Sequence, residues 1–301
     1  MNLSVKIGTT TFNNPVTVAS GTFGLAEKYL NVGNLKRFGA ITPKTVTFKE
    51  QQGNAPLRII ETPSGMVNAI GIENPGIDRY IINKLPPLQK VGVPLIISIL
   101  GRSPAEFAAM AAKLDGQSQV KAIELNLSCP NLQKKSLVAQ DPKETAKVVS
   151  AVKRATNLPV LAKLAPNVTD ITQIAKAAED AGADGISMIN TFSAMVIDTK
   201  TRRSKIGNFT GGLSGPAIRP IAVNMVYQTA QAVKIPIVAM GGIATADDAL
   251  QFLIAGATMV AVGTYNFIDP SAPVKVVDGI RDYMKQHKID NIKHLIGSIE
   301  K

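Results

Sequence analysis

Short apolar runs recur along the chain, each ending abruptly in polar or glycine residues, and each is separated from the next by a segment with helical spacing. Read as strands, they lie at Val16–Ala19, Ala40–Thr42, Leu95–Ile99, Ala122–Leu125, Val160–Ala162, Gly185–Ile189, Ile237–Ala239 and Met259–Val262, eight in all. The segments between them carry helix-start signals. Ser103-Pro104-Ala105-Glu106 and Asp141-Pro142-Lys143-Glu144 each supply an N-cap, a proline at the first helical position and an acid at the third. Ile171, Ile174, Ala175, Ala178 and Ala181 repeat at helical spacing until Gly182 ends the run. Pro94, Pro159 and Pro236 each precede a strand, where a helix must already have stopped.

Eight strands alternating with helices predict an α/β fold of the (β/α)8 TIM-barrel type, because parallel strands need crossover helices and right-handed crossovers close the ring. An open doubly wound sheet is the runner-up, but no GxGxxG follows the first strand. Leu3 to Phe12 reads as a hairpin capping the fold, and residues 1–301 read as one barrel domain. Extended loops are expected after strands 2, 4 and 6. The first runs from Thr45 to Pro75, the second follows Asn126, and the third runs from Thr191 to Gly215. Loops of this length are functional or fold into strands of their own.

Composition narrows the function classes. With 45% apolar residues in 301, a large core is affordable, and runs such as VPLIISIL fall short of a membrane span. The absence of a charged-then-apolar leader predicts a cytoplasmic protein without a membrane role. The net charge of +11 is scattered, aromatics are 5% and Trp is absent, which argues against nucleic acid. Lys200, Arg202, Arg203 and Lys205 form a local basic cluster suited to an acidic partner. The only histidines, His287 and His294, sit near the end, so a Ser-His-Asp triad or a zinc site is not expected, and no metal is predicted.

In a barrel, the residues just after each strand share one mouth. Here they are Ser20 and Gly21, Lys44 and Thr45, Ser98, Asn126 to Asn131, Lys163, Asn190 and Thr191, Gly241 and Gly242, and Gly263 and Thr264. Glycines after strands 7 and 8 let backbone N–H groups approach a phosphate closely. Lys44 and Lys163 face the cavity from opposite sides. They suit either Schiff-base chemistry or stabilisation of a group that becomes anionic during turnover. Asn68, Asn126, Asn131 and Asn190 offer planar donor and acceptor pairs matching the amide edges of a pyrimidine-like ring. Cys129, the only cysteine, lies among Asn126, Ser128 and Asn131, polar neighbours that a merely buried thiol does not need.

These residues sit in longer motifs: VTVASGTFG, ITPKTVT, ETPSGMVNAIGIENPG, IELNLSCPN, LAKLAPNVTDI, ADGISMINT, TGGLSGPAI, VAMGGIATADDAL and ATMVAVGT. Together they resemble class I dihydroorotate dehydrogenase, in particular the NAD-linked B type, over nearly the whole chain. The resemblance implies an FMN-binding barrel that oxidises dihydroorotate to orotate in pyrimidine (UMP) biosynthesis. It assigns Cys129 as the base that removes the C5 proton while hydride leaves C6 for flavin N5. Lys44 would touch flavin and substrate, and Lys163 would neutralise the reduced flavin. Ser20, Gly21, Lys44, Thr45, Ser98, Asn126, Lys163, Ile189, Gly215, Gly241, Gly242, Gly263 and Thr264 would hold FMN. Lys44, Asn68, Ala69, Ile70, Gly71, Ile72, Asn126, Asn131, Asn190 and Thr191 would hold the substrate. Two departures stand out: Leu132 to Pro142 contains no glycine where relatives are glycine-rich, and Ser98 replaces the family's usual asparagine.

NAD needs a dinucleotide site and the B type also uses FAD and an iron–sulfur cluster, for which this chain has neither a Rossmann fingerprint nor cysteines to spare. The resemblance therefore implies a homodimer joined by an electron-transfer subunit into a heterotetramer. The alternatives are the A-type enzyme, which stands alone and uses fumarate, a barrel aldolase or isomerase with Lys163 as Schiff-base lysine, and a non-catalytic binding module on the same barrel.

Overall fold

The computed structural model describes residues 1–24, 34–128 and 137–300. Two short strands, β1 (Val5–Ile7) and β2 (Thr10–Phe12), form an antiparallel hairpin, as the sequence predicts. Ile7 and Phe12 are fully buried, and Thr10 Oγ1 donates to the Lys121 carbonyl at the foot of a barrel strand.

The remaining strands are β3 (Val16–Val18), β4 (Val46–Thr47), β5 (Ile59–Thr62), β6 (Gly65–Asn68), β7 (Leu95–Leu100), β8 (Val120–Asn126), β9 (Val160–Lys163) and β10 (Gly185–Met188), followed by β11 (Phe192–Ala194), β12 (Ile197–Asp198), β13 (Arg203–Ser204), β14 (Gly211–Ser214), β15 (Ile237–Met240) and β16 (Met259–Val262). A curled eight-stranded parallel sheet takes the order β3-β16-β15-β10-β9-β8-β7-β4. Helices pack outside it: α1 (Ile77–Arg79) running through a π turn into α2 (Leu85–Gln89), then α3 (Pro104–Leu114), α4 (Pro142–Lys153), α5 (Ile171–Asp180), α6 (Arg219–Ala232), α7 (Ala246–Ala255) and α8 (Ala272–Gln286). This is a (β/α)8 barrel of TIM type. Strands of such a sheet are buried on both faces, so β7, β9, β10, β15 and β16 are buried at every position. The caps behave as read: Ser103 Oγ accepts from Glu106 N, and the Asp141 carboxylate accepts from Lys143 N and Glu144 N. Among the described residues, no helix is long and apolar enough to cross a membrane.

The second barrel strand differs from expectation. Ala40–Thr42 contributes one bridge, Ile41 to Leu95, and the ladder resumes only at Val46–Thr47 against Ile99–Leu100. Pro43 interrupts it, because proline has no N–H to give to a ladder. The ring closes between the first and second strands through Gly39 N to Val16 O (2.9 Å) and the paired hydroxyls of Thr17 and Thr42 (3.1 Å).

The loops after the second and sixth barrel strands are ordered into one structure. β5 and β6 from the first, and β11 and β14 from the second, form a four-stranded antiparallel sheet in the order β11-β14-β6-β5. It has a small core of its own, Val67, Ala69 and Ile206, separate from the barrel core. The expected extended loop after the fourth strand falls mainly on 129–136, outside the described residues.

Candidate active site

One cavity of about 900 Å³ lies between the C-terminal ends of the barrel strands and the antiparallel sheet. From the barrel side it is lined by Ser20, Gly21, Lys44, Thr45, Asn126 and Lys163. Ile189, Gly215, Gly241, Gly242, Gly263 and Thr264 continue this wall around the ring. The opposite wall carries Asn68, Ile70, Gly71 and Ile72, with Asn190 and Thr191 at the junction.

Two predicted residues do not line it. Ser98 is fully buried behind Thr45, its hydroxyl 3.0 Å from Thr45 Oγ1, so it reaches the cavity only through that side chain. Ala69 is buried in the small core of the cap and contributes its carbonyl to Asn54 Nδ2 instead. Cys129 and Asn131 lie outside the described residues.

The floor of the cavity is a buried charge network. Lys163 is 4% exposed; its Nζ donates to Ser20 Oγ (3.1 Å) and to Glu124 Oε1 (3.3 Å), while Ser187 Oγ donates to Glu124 Oε2 (2.7 Å). A buried cation needs such partners to remain charged in a low-dielectric interior. Sequence reasoning missed Glu124 and Ser187. The available signal was the single carboxylate inside the otherwise apolar run AIEL, two residues before Asn126 and therefore on the same face of the strand.

Lys44 approaches the same floor from the second strand. Burial, and then the neighbouring Lys163 ammonium, pull it down from its usual value to about 8, against an opposing pull from Glu73. Glu73, itself in the cavity wall, is paired with Arg58 at 2.5 Å. Two cations this close, one with a depressed pKa, mark a cavity built to receive negative charge.

The carboxamides form a connected set above the floor. Asn190 Nδ2 donates to Ser128 Oγ (2.7 Å) and approaches Asn126 Oδ1 (3.5 Å), while Ser128 N donates to Asn126 Oδ1 (3.2 Å). Asn190 Oδ1 accepts from Thr191 N (2.8 Å), and Asn68 Nδ2 donates to the Gly212 carbonyl (3.2 Å). Such ties fix the amide planes and leave their remaining edges for a planar ligand.

Across the cavity, Gly241 and Gly242 adopt φ of 138° and 78°. A Cβ at Gly242 would stand 2.7 Å from the Gly215 carbonyl oxygen, so only glycine lets the chain turn here with its backbone facing the cavity. Thr264 Oγ1 donates to Ser214 Oγ (2.8 Å), which joins the eighth-strand end to the cap. A glycine path on one side, two ammonium groups on the floor and an amide cluster on the other fit a phosphate-bearing flavin together with a flat imide. Among the described residues, no group of His, Cys, Asp or Glu is arranged to hold a metal ion.

Comparison with known proteins agrees with this chemistry. The family model described as dihydroorotate dehydrogenase matches residues 2–284. A protein from Lachnoclostridium phytofermentans named dihydroorotate dehydrogenase B (NAD(+)), catalytic subunit, is 48% identical over 100% of both chains. Proteins of the same name from Geotalea uraniireducens and Desulforudis audaxviator are 46% and 48% identical over 99% and 98% of this chain and 98% and 96% of theirs. The chain belongs to the dihydroorotate dehydrogenase family, and its similarity runs to the NAD-linked, B-type catalytic subunits.

Proposed function

We propose that this chain, as one FMN-binding barrel over residues 1–301, oxidises dihydroorotate to orotate in pyrimidine biosynthesis. The observation that carries the reading is a cavity in which Lys163, paired with the buried Glu124, a Lys44 of lowered pKa, linked carboxamides and a glycine turn come together. FMN, when bound, supplies the acceptor for two electrons and a proton. Gly215, Gly241, Gly242, Gly263 and Thr264 would hold its phosphate side, and Ser20, Thr45 and Lys163 its ring side.

The chain's own residues do the rest. Lys163, paired with Glu124, stabilises negative charge that develops over the cavity floor. Asn68, Asn126 and Asn190, with Asn131, orient the imide edges of the substrate, and Lys44 offers a cation to its carboxylate. Cys129 takes the C5 proton. A thiol of ordinary pKa ~8.5 is a slow base at neutral pH, so Ser128, its neighbour in the chain, and the ammonium groups of the cavity would serve to tune it.

Electrons leave for NAD through a separate subunit that carries FAD and an iron–sulfur cluster, bound to a homodimer of this chain in a heterotetramer. The curated relatives are named as catalytic subunits, which supports a partner of this kind.

The test is anaerobic addition of dihydroorotate to the purified, FMN-loaded chain. Bleaching of the flavin is expected, with a Cys129→Ser variant that retains FMN and bleaches ~10²–10⁴-fold more slowly. A flavin that dihydroorotate leaves oxidised overturns the reading, and an unimpaired Cys129→Ser variant overturns the assignment of the base.

A further inference from the structure

Asn74 stands two residues before the end of the motif that begins at Glu61 and lines the cavity, and the reading above gives it no role. Its side chain is buried, 6% exposed, and both ends of its carboxamide are engaged. Oδ1 accepts from the backbone N–H of Thr47 (3.1 Å) and Gly76 (2.9 Å). Nδ2 donates to Thr47 Oγ1 (2.8 Å) and to the Ile72 carbonyl (2.7 Å). One amide therefore ties the second barrel strand to the loop in the cavity wall.

That loop needs holding. Gly71 has φ of 75° and Ile72 a φ of 54°, and both line the cavity. Glycine takes this left-handed region freely, but a β-branched side chain avoids it unless its surroundings over-determine the backbone. On the near side, Asn54 N donates to the Ile70 carbonyl (3.0 Å). On the far side, the main chains of Gln51 and Asn74 exchange hydrogen bonds of 3.0 Å each, and the Asn74 amide reaches the Ile72 carbonyl itself.

We propose that Asn74 is a positioning residue for the substrate. It holds the Gly71–Ile72 backbone in the left-handed form that presents this stretch to the ligand. The inference rests on the reading above, in which Asn68 to Ile72 face dihydroorotate. Without the tie, the loop occupies other conformations, and apparent affinity falls by the fraction that remains competent. FMN lies against the opposite wall in that reading and is not held by this loop.

The discriminating variant is Asn74→Asp in the FMN-loaded chain. Its carboxylate still accepts from Thr47 N and Gly76 N but has no proton to give the Ile72 carbonyl. Orotate titrated against the oxidised flavin spectrum is expected to bind about tenfold more weakly or worse, with KM for dihydroorotate rising in step. FMN content and kcat at saturation should stay within about twofold, since the tie acts on ground state and transition state alike. In an Ile72→Gly background, where the same φ carries no steric penalty, the aspartate substitution should cost less than in the parent.

Unchanged orotate affinity in Asn74→Asp, equal losses in both backgrounds, or a joint fall of FMN content and kcat would each overturn the proposal. Asn74→Ser adds no buried charge and cannot reach the Ile72 carbonyl; it replaces the aspartate if that variant does not fold. Failure of both to fold with FMN would make Asn74 a folding residue and overturn the proposal as well. A parent chain whose flavin ignores orotate would overturn the dihydroorotate reading itself, a result separate from all of these.

Discussion

The barrel wall and the antiparallel cap above it are built on different principles. Wall strands β7, β9, β10, β15 and β16 are buried at every position, and their side chains merge into the main core. In the cap, β5 alternates exposed and half-buried residues, β14 is half-buried throughout, and the private core is Val67, Ala69 and Ile206. Leu57, Ile59, Met195, Ile197 and Phe209 are exposed on or beside it. The cap is therefore held by main-chain pairing and by its junction with the barrel rather than by its own apolar core. Under the proposed function, the rigid wall carries the FMN side of the cavity and the lighter cap carries the substrate side. A fault in the wall should cost stability and cofactor together, whereas a fault in the cap should cost substrate recognition first.

The sharpest break of that contrast is Lys163→Ala. It leaves Glu124, 2% exposed, without its cation, and losing one member of a buried pair costs about 3–5 kcal/mol. Denaturant unfolding should register that loss along with loss of FMN. The double variant Lys163→Ala/Glu124→Gln should recover most of the stability but none of the flavin chemistry. If the single variant is as stable as the parent, the charge network does not support the wall.

In the cap, Gly65→Ala is the matching lesion. A Cβ there would stand 2.1 Å from the Ser214 carbonyl oxygen, where β6 meets β14. The strands must part locally, and orotate affinity should fall about tenfold for each ~1.4 kcal/mol of ordering lost. FMN content should fall less than substrate affinity, since Gly215 beside the lesion is one of five residues assigned to the phosphate, and unfolding should shift by at most about 2 kcal/mol. A variant that loses FMN as readily as substrate would erase the distinction between wall and cap.

The third expected effect is electrostatic and belongs to Lys44. Its folded-state pKa of about 8 lies below the ordinary 10.5, so on raising the pH the folded chain releases this proton first. Below about pH 8 the buried ammonium destabilises the flavin-free chain in full; between about 8 and 10.5 the unfolded chain binds the extra proton and stability rises with pH. Lys44→Met should therefore be more stable than the parent at pH 7, with the advantage shrinking to nothing by about pH 10.5. A difference that does not change with pH would mean that Lys44 is not the titrating group.

Much of this was readable from the chain because fully buried parallel strands announce themselves as apolar runs, and in a barrel the residues after them must converge. That logic brought Lys44, Asn126, Lys163, Asn190 and the paired glycines to one mouth. It failed where the answer depends on register or on distant pairing. Asn126 stands opposite Lys163 and Glu124 opposite Leu161, an alignment of β8 with β9 that no local pattern states. Ser98, read with the strand ends, lies inside β7, two residues before Leu100, and sits behind Thr45. Pro43 divided a strand that hydropathy alone ran through Ala40–Thr42. The cap could not be foreseen as one sheet, since Gly65–Asn68 and Gly211–Ser214 are far apart in sequence and neither is strongly apolar.

The division of labour between the two walls is tested most directly by a crystal structure of the FMN-loaded chain soaked with orotate. The account predicts the flavin phosphate at Gly241, Gly242, Gly263 and Thr264, its ring against Lys163, and orotate between that ring and the loop from Asn68 to Ile72. Flavin bound against the cap strands, or orotate anywhere outside this cavity, would contradict it.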